Sequence, residues 1–140
     1  MTESSTGIFL DRFRNALAAR SGDRVAECFA ADCRFEVPVH PARNFVGREQ
    51  ARQNWTAIFD AVPDFPATLL SESHTGNACW AEWEYSGTRR DSSAHRMRGA
   101  TIFEVDDAGR LRNGRIYMEF VDTDTTPIGE HLQRLMGTST

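Results

Sequence analysis

The chain contains no lysine; its sixteen basic residues are all arginine. A Schiff-base enzyme, a lysine-dependent aldolase and a P-loop each need a lysine amine or ammonium, so those chemistries are excluded. Arginine cannot stand in, because its guanidinium stays protonated and is not a nucleophile. The bias itself reads as GC-rich coding. Cysteine is also scarce: Cys28, Cys33 and Cys79 form no C-x-x-C pair, so neither a disulfide framework nor a zinc site is signalled. The histidines and carboxylates fall at no metal-ligand spacing, and neither a metal nor an organic cofactor is expected. No apolar run approaches the ~20 residues of a membrane span, and the first residues lack the basic and apolar stretches of a signal peptide. A net charge of −4 disfavours nucleic acid and anionic membranes as partners. A reducing cytoplasm is the expected compartment.

With 140 residues and 40% hydrophobic content, the chain is long enough to bury one sizeable core. From Ile8 the spacing of Phe9, Phe13, Ala16 and Leu17 predicts a helix, with caps among Ser4, Ser5 and Thr6 and a stop at Gly22. Asp23 would cap a short second helix whose inner face is Val25, Cys28 and Phe29. The period then changes to two over 33–39, which predicts an edge strand ending near Pro38. Gly47 opens a third helix, with Ala51, Trp55, Ile58, Phe59 and Val62 inward and Pro63 as its stop. Strands follow over 68–75, 78–86, 96–105 and 112–121, separated by turn-forming residues. Residues 1–7 read as loosely ordered, 8–122 as one domain, and 123–140 as a tail with a short helix over 129–136.

Three helices with one inserted strand, followed by a four-strand meander, predict an α+β fold. Such a sheet should curl over its helices into a cone around an apolar pocket. If Trp83 points inward, so do Cys79, Ala81 and Tyr85, while Trp80, Glu82 and Glu84 point out. On the next strand Met97, Gly99, Thr101 and Phe103 share the inner face. On the last strand Gly114, Ile116, Met118 and Phe120 do. A one-residue shift of register would bring Glu82, Glu84, Arg98, Tyr117 and Glu119 inside instead.

The order of elements resembles the SnoaL-like branch of the nuclear transport factor 2-like superfamily, with its polyketide cyclases, ketosteroid isomerases and limonene epoxide hydrolases. The matching pieces run from Phe29-Ala30-Ala31-Asp32-Cys33-Arg34-Phe35-Glu36 through Phe45-Val46-Gly47-Arg48-Glu49 and Trp83-Glu84-Tyr85-Ser86-Gly87-Thr88. They end in Arg98-Gly99-Ala100-Thr101-Ile102-Phe103-Glu104-Val105 and Ala108-Gly109-Arg110-Leu111. The resemblance implies a cone-shaped, strongly curved, mixed or antiparallel sheet covered by three N-terminal helices. It also implies a small apolar ligand in the cone and a homodimer formed through the outer sheet face. It does not carry over the relatives' catalytic groups. The isomerases' base falls at Val37, their oxyanion-hole acid at Thr101, and their helix-1 tyrosine near Phe13. The epoxide hydrolases' last-strand Asp falls at Ile116, and the cyclases' Gly-Thr-His reads Gly87-Thr88-Arg89.

Those departures leave His40, Tyr85, Thr101 and His95 as candidates for acid–base chemistry on an isomerisation, cyclisation or hydration. His40 is expected near the pocket mouth, and an unperturbed imidazole titrates near pH 6.5. The expected lining is Phe13, Leu17, Phe35, Val37, Trp55, Phe59, Trp83, Met97, Phe103, Ile116 and Met118; each is equally at home in a plain core. A non-catalytic ligand-binding or dimerisation module accounts for the same apolar interior.

Overall fold

A computed structural model describes residues 4–137. Helix α1 (Ser5–Ala19) starts inside the stretch expected to be loosely ordered, because the Ser4 hydroxyl caps it by accepting from the Gly7 amide at 3.1 Å. The rest of that stretch, residues 1–3, lies outside the described residues. Phe9, Leu10, Phe13, Ala16 and Leu17 form the buried face of α1. The stop is not Gly22. Arg20 takes the left-handed conformation (φ 51°) and returns its N–H to the Ala16 and Leu17 carbonyls. Gly22 instead opens helix α2 (Gly22–Glu27), where a side chain would fall on the Thr56 hydroxyl of the neighbouring helix. The cap of α2 is Ser21, not Asp23.

Strand β1 covers Phe29–Glu36, four residues earlier than the alternation predicted, so Phe29 belongs to the sheet rather than to a helix face. A two-residue strand, β2 (Phe45–Val46), pairs with β1 and was not foreseen. Helix α3 (Arg48–Ala61) follows Gly47 and ends ahead of Pro63. Then come β3 (Ala67–Thr75), β4 (Ala78–Tyr85), β5 (Met97–Val105), β6 (Leu111–Phe120) and the tail helix α4 (Ile128–Met136). The α+β reading holds, and the six strands form one curved open sheet in the order β2-β1-β6-β5-β4-β3. Every pairing is antiparallel except β1 with β6. No helix among the described residues is long and apolar enough to cross a membrane.

The register puts Trp83 inside. Cys79, Ala81, Trp83 and Tyr85 are buried, whereas Trp80 and Glu82 are exposed. Glu84 lies on the same outer face and meets Arg96 at 2.7 Å. A fan of aromatic rings fills the narrow end of the cone. Phe13 touches Phe9, Phe29, Trp55, Trp83 and Phe103 with centroids 5.5–6.1 Å apart, mostly edge to face. Gly114 makes room for that fan, since a Cβ there would come within 2.8 Å of the Phe35 ring. On the far side of α1, the fully buried Thr6 hydroxyl lies 2.7 Å from Nδ1 of His74, whose Nε2 meets Glu72 at 2.9 Å. Only the hydroxyl end of this carboxylate–imidazole–hydroxyl chain is buried; His74 and Glu72 lie exposed on β3. Its effect is to pin the start of α1 to β3.

Candidate functional site

The aromatic fan does not fill the whole cone. Between it and the wide end lies a cavity of about 210 Å³. Each wall comes from a different element: Phe13 from α1, Phe29 and Phe35 from β1, and Phe45 from β2. Asn54, Trp55 and Ile58 come from α3, and Phe65 from the α3–β3 turn. The sheet adds Tyr85, Met97, Thr101, Phe103, Ile116 and Met118, and the β4–β5 loop adds His95. No carboxylate or guanidinium is part of the lining.

Of the residues expected to line the pocket, Phe13, Phe35, Trp55, Met97, Phe103, Ile116 and Met118 stand on the wall. Four others stand off it. Trp83 is fully buried behind Thr101, and Phe59 packs behind Trp55 and Phe65. Leu17 lies on the flank of α1 that lines a separate surface cleft. Val37 lies beyond the end of β1, its N–H held by the Asn44 side chain at 2.7 Å. The sequence reading missed Phe29, Phe45, Asn54, Ile58 and Phe65. The polar candidates divide in the same way. Tyr85, Thr101 and His95 face the cavity; His40 does not, because its Nε2 is drawn 2.6 Å from Glu119, which projects from the outer face of β6.

His95 reaches the cavity because the β4–β5 loop is tightly built. Its N–H donates to the Gly87 carbonyl (2.9 Å), and a bridge joins Thr88 to Ala94. The Asp64 carboxylate accepts from the Thr88 amide at 2.8 Å. Gly87 has φ 128°, and a side chain there would strike Val62 and Asp64. The His95 ring packs against Phe65 and stands perpendicular to Phe120, and the Arg89 guanidinium lies over the Phe120 ring, 5.6 Å from its centre. Its Nδ1 is the one buried side-chain nitrogen or oxygen without a hydrogen-bond partner among the described residues.

Burial lowers the His95 pKa below the ordinary imidazole value. A backbone interaction with Ser86 pulls it back up, and Arg89 lowers it further. The ring is therefore neutral at pH 7 and able to accept a proton. The unfolded chain takes up that proton at a higher pH than the folded chain does. Stability is then complete above the unfolded value of about 6.5 and falls as pH drops through the folded pKa. Urea midpoints of the wild type should decline below pH 6.5, and His95→Phe should show a smaller decline over the same range.

Burial pushes the Tyr85 phenol up, so it stays protonated and can only donate or accept as a neutral hydroxyl. Thr101 is oriented from behind. The Trp83 indole N–H donates to its oxygen at 2.9 Å, which leaves the Thr101 proton free to point elsewhere. The three thiols are not nucleophiles here. Burial raises Cys28 to about 11, against the pull of Arg12, Arg24 and Arg110, and raises Cys79 to about 11; Cys33 is raised too. A larger cleft, about 670 Å³, opens beside α1 but is a charged surface trough lined by Asp11, Arg14, Arg20 and Asp64. Its size does not outweigh the enclosed wall and unpartnered nitrogen of the inner cavity.

Comparison with known proteins comes to the same architecture. Residues 10–114 match the family model described as "SnoaL-like domain". A putative isomerase from Bacillus subtilis superposes with a TM-score of 0.71 at 15% identity, covering 96% of this chain and 94% of its own. A putative SnoaL-like polyketide cyclase from Jannaschia sp. CCS1 gives 0.70 at 14% identity, covering 85% and 91%. The epoxide hydrolase/cyclase-like enzyme SalBIII, of pyran ring formation in the polyether salinomycin, gives 0.69 at 15% identity, covering 84% and 91%. At such identities the likeness is one of fold. No curated protein matches the chain.

Proposed function

The chain belongs to the SnoaL-like domain family, and on that footing we propose that it binds a small, largely apolar molecule in its cone and acts on it by acid–base chemistry. The observation that carries this reading is the unpartnered Nδ1 of His95, a buried base at the wall of an otherwise aromatic cavity. A buried polar atom left unpaired costs roughly 1–3 kcal/mol, and a ligand that pairs with it recovers that cost. In the proposed reaction His95 takes a proton from carbon next to a carbonyl. The Tyr85 and Thr101 hydroxyls donate to the oxygen on which negative charge collects. Isomerisation, cyclisation and elimination of water all begin with that step. The names of the neighbouring structures, a putative isomerase and cyclases, favour the same class.

A second reading rests on a different observation. No carboxylate lines the cavity, and Val37, Thr101 and Ile116 stand where the resemblance would place acids. On this reading the domain binds its ligand and does not convert it. Native mass spectrometry of freshly purified chain, followed by incubation of any retained compound, separates the two. Turnover that His95→Phe lowers by about a hundredfold or more supports the base. A compound retained and never converted supports the binding module.

Assembly through the outer face of the sheet belongs to the same proposal. Trp80 (52% exposed), Leu70 and Tyr117 leave apolar area among the charges of that face. Light scattering at micromolar concentration should give a dimer mass, and Trp80→Glu should return a monomer. A wild-type monomer mass would remove the dimer from the account.

A further inference from the structure

Three arginines from separate parts of the chain meet at a surface cleft that shares no lining residue with the cavity of the cone. Arg12 comes from α1, Arg24 from α2 and Arg110 from the turn between β5 and β6; with Asn15, Glu27 and Cys28 they line a space of about 310 Å³. Other arginines of the chain are spoken for, as Arg52 is by Asp23 and Arg96 by Glu84, each at 2.7 Å. These three guanidiniums and the Asn15 amide make no hydrogen bond or ion pair among the described residues.

The backbone holds the three together. The Leu111 amide donates to the Cys28 carbonyl at 3.0 Å, which ties the β5–β6 turn to the end of α2. The Arg110 amide donates to Oδ1 of Asp106 at 2.9 Å, and its carbonyl accepts from the Asp106 amide at 2.8 Å. Folding alone gives no reason for this convergence, because like charges repel. Glu27, the one carboxylate of the lining, forms no ion pair with them, so the cleft carries a positive excess within a chain of net charge −4. That field reaches the floor: burial pushes the Cys28 thiol up, while Arg12, Arg24 and Arg110 each pull it down. A cleft lined mainly by one sign of charge concentrates the opposite ion.

We propose that this cleft is a binding site for a diphosphate group, held by the guanidiniums of Arg12, Arg24 and Arg110 with the Asn15 amide as a neutral donor. A guanidinium presents a planar fork of donors that matches phosphate and carboxylate oxygens alike. The number of forks decides between them. A carboxylate has two coplanar oxygens and satisfies one fork, whereas phosphoryl oxygens diverge and can meet forks arriving from three elements. Size agrees, since ligand sites run from roughly 300 to 1,000 Å³ and this one, at the small end, suits a compact group.

Calorimetric titration of the full chain at neutral pH and low salt tests the site, with phosphate, pyrophosphate, ADP and citrate as probes. Pyrophosphate should bind at least about tenfold more tightly than phosphate, the worth of one further charge-assisted hydrogen bond. Sodium chloride should weaken it. Tighter binding of ADP would make the natural source an ester, and tighter binding of pyrophosphate the free ion; either supports the site. Arg24→Gln and Arg110→Gln should each weaken pyrophosphate by about tenfold or more. Arg43→Gln removes the same charge from the exposed turn Pro41–Arg43 and should change its affinity by less than about twofold, since screening isolates distant surface charges. Both cleft variants should keep or raise the wild-type urea midpoint, because each relieves repulsion. A lowered midpoint would assign the arginines to the fold and overturn the proposal. So would the absence of saturable binding of pyrophosphate and ADP, an equal loss in Arg43→Gln, or tighter binding of citrate than of pyrophosphate. None of these outcomes bears on the reading of the apolar cavity.

Discussion

Replacing Trp83 with alanine should lower the unfolding free energy by about 3–5 kcal/mol, read as a shift of the urea midpoint at unchanged slope. The indole is fully buried, edge-on to Phe13 at 5.8 Å and tilted against Tyr85 at the same distance. Its removal leaves a hole between the inner layer of the sheet and the aromatic fan that the backbone of β4 cannot close. A domain of this kind has only about 5–15 kcal/mol in total, so the loss would take a large part of the margin. Trp83→Phe separates packing from polarity. It keeps most of the ring but deletes the donor to Thr101. The stability cost should then be nearer 1–2 kcal/mol, and affinity for any ligand that accepts from Thr101 should fall, because the hydroxyl is no longer turned from behind.

The second large effect is expected at a position without a side chain. Gly87→Ala should cost about 2–5 kcal/mol, measured by the same unfolding experiment. Two penalties add there. The backbone sits at φ 128°, a conformation that an L side chain rarely adopts, and the new Cβ would lie 2.6 Å from Cγ1 of Val62 and 2.9 Å from Oδ1 of Asp64. The functional loss should exceed the loss of stability, because the Gly87 carbonyl holds the His95 amide. Displacing that carbonyl moves the imidazole. Retention or turnover of any bound compound should fall even at temperatures where the variant is fully folded. An alanine variant with wild-type stability and undiminished retention or turnover of the bound compound would show that the loop can relax without moving His95.

The strands of the cone were legible in the sequence because alternation fixes which face is buried. Cys79, Ala81, Trp83 and Tyr85 were assigned inward on period alone, and burial follows that assignment. What period cannot give is the partner of a strand. The parallel pairing of β1 with β6 joins residues nearly eighty positions apart, as in Phe35 with Gly114, and no local pattern announces it. Phe29 was assigned to a helix because a single apolar residue at a helix–strand junction suits either period. Phe65 lies in a short turn with no period at all, and Phe45 in a strand of two residues. Each reaches the cavity through tertiary packing.

The polar site shows the same division. His95 and His40 were indistinguishable in sequence, each an isolated histidine beside a loop. The difference between them is a distant residue: Glu119 captures His40 on the outside of the sheet, whereas no described group captures Nδ1 of His95. The absent carboxylates, by contrast, were visible from the start, since Val37, Thr101 and Ile116 need no structure to be recognised as non-acids.

The most direct test of the central claim is a crystal structure of the full chain prepared without added ligand. The account predicts an open cavity bordered by Phe13, Trp55, Tyr85 and Met118, with a retained compound or ordered solvent within hydrogen-bonding distance of Nδ1 of His95. A cone closed by collapsed side chains, with Nδ1 bonded to another protein group, would contradict it.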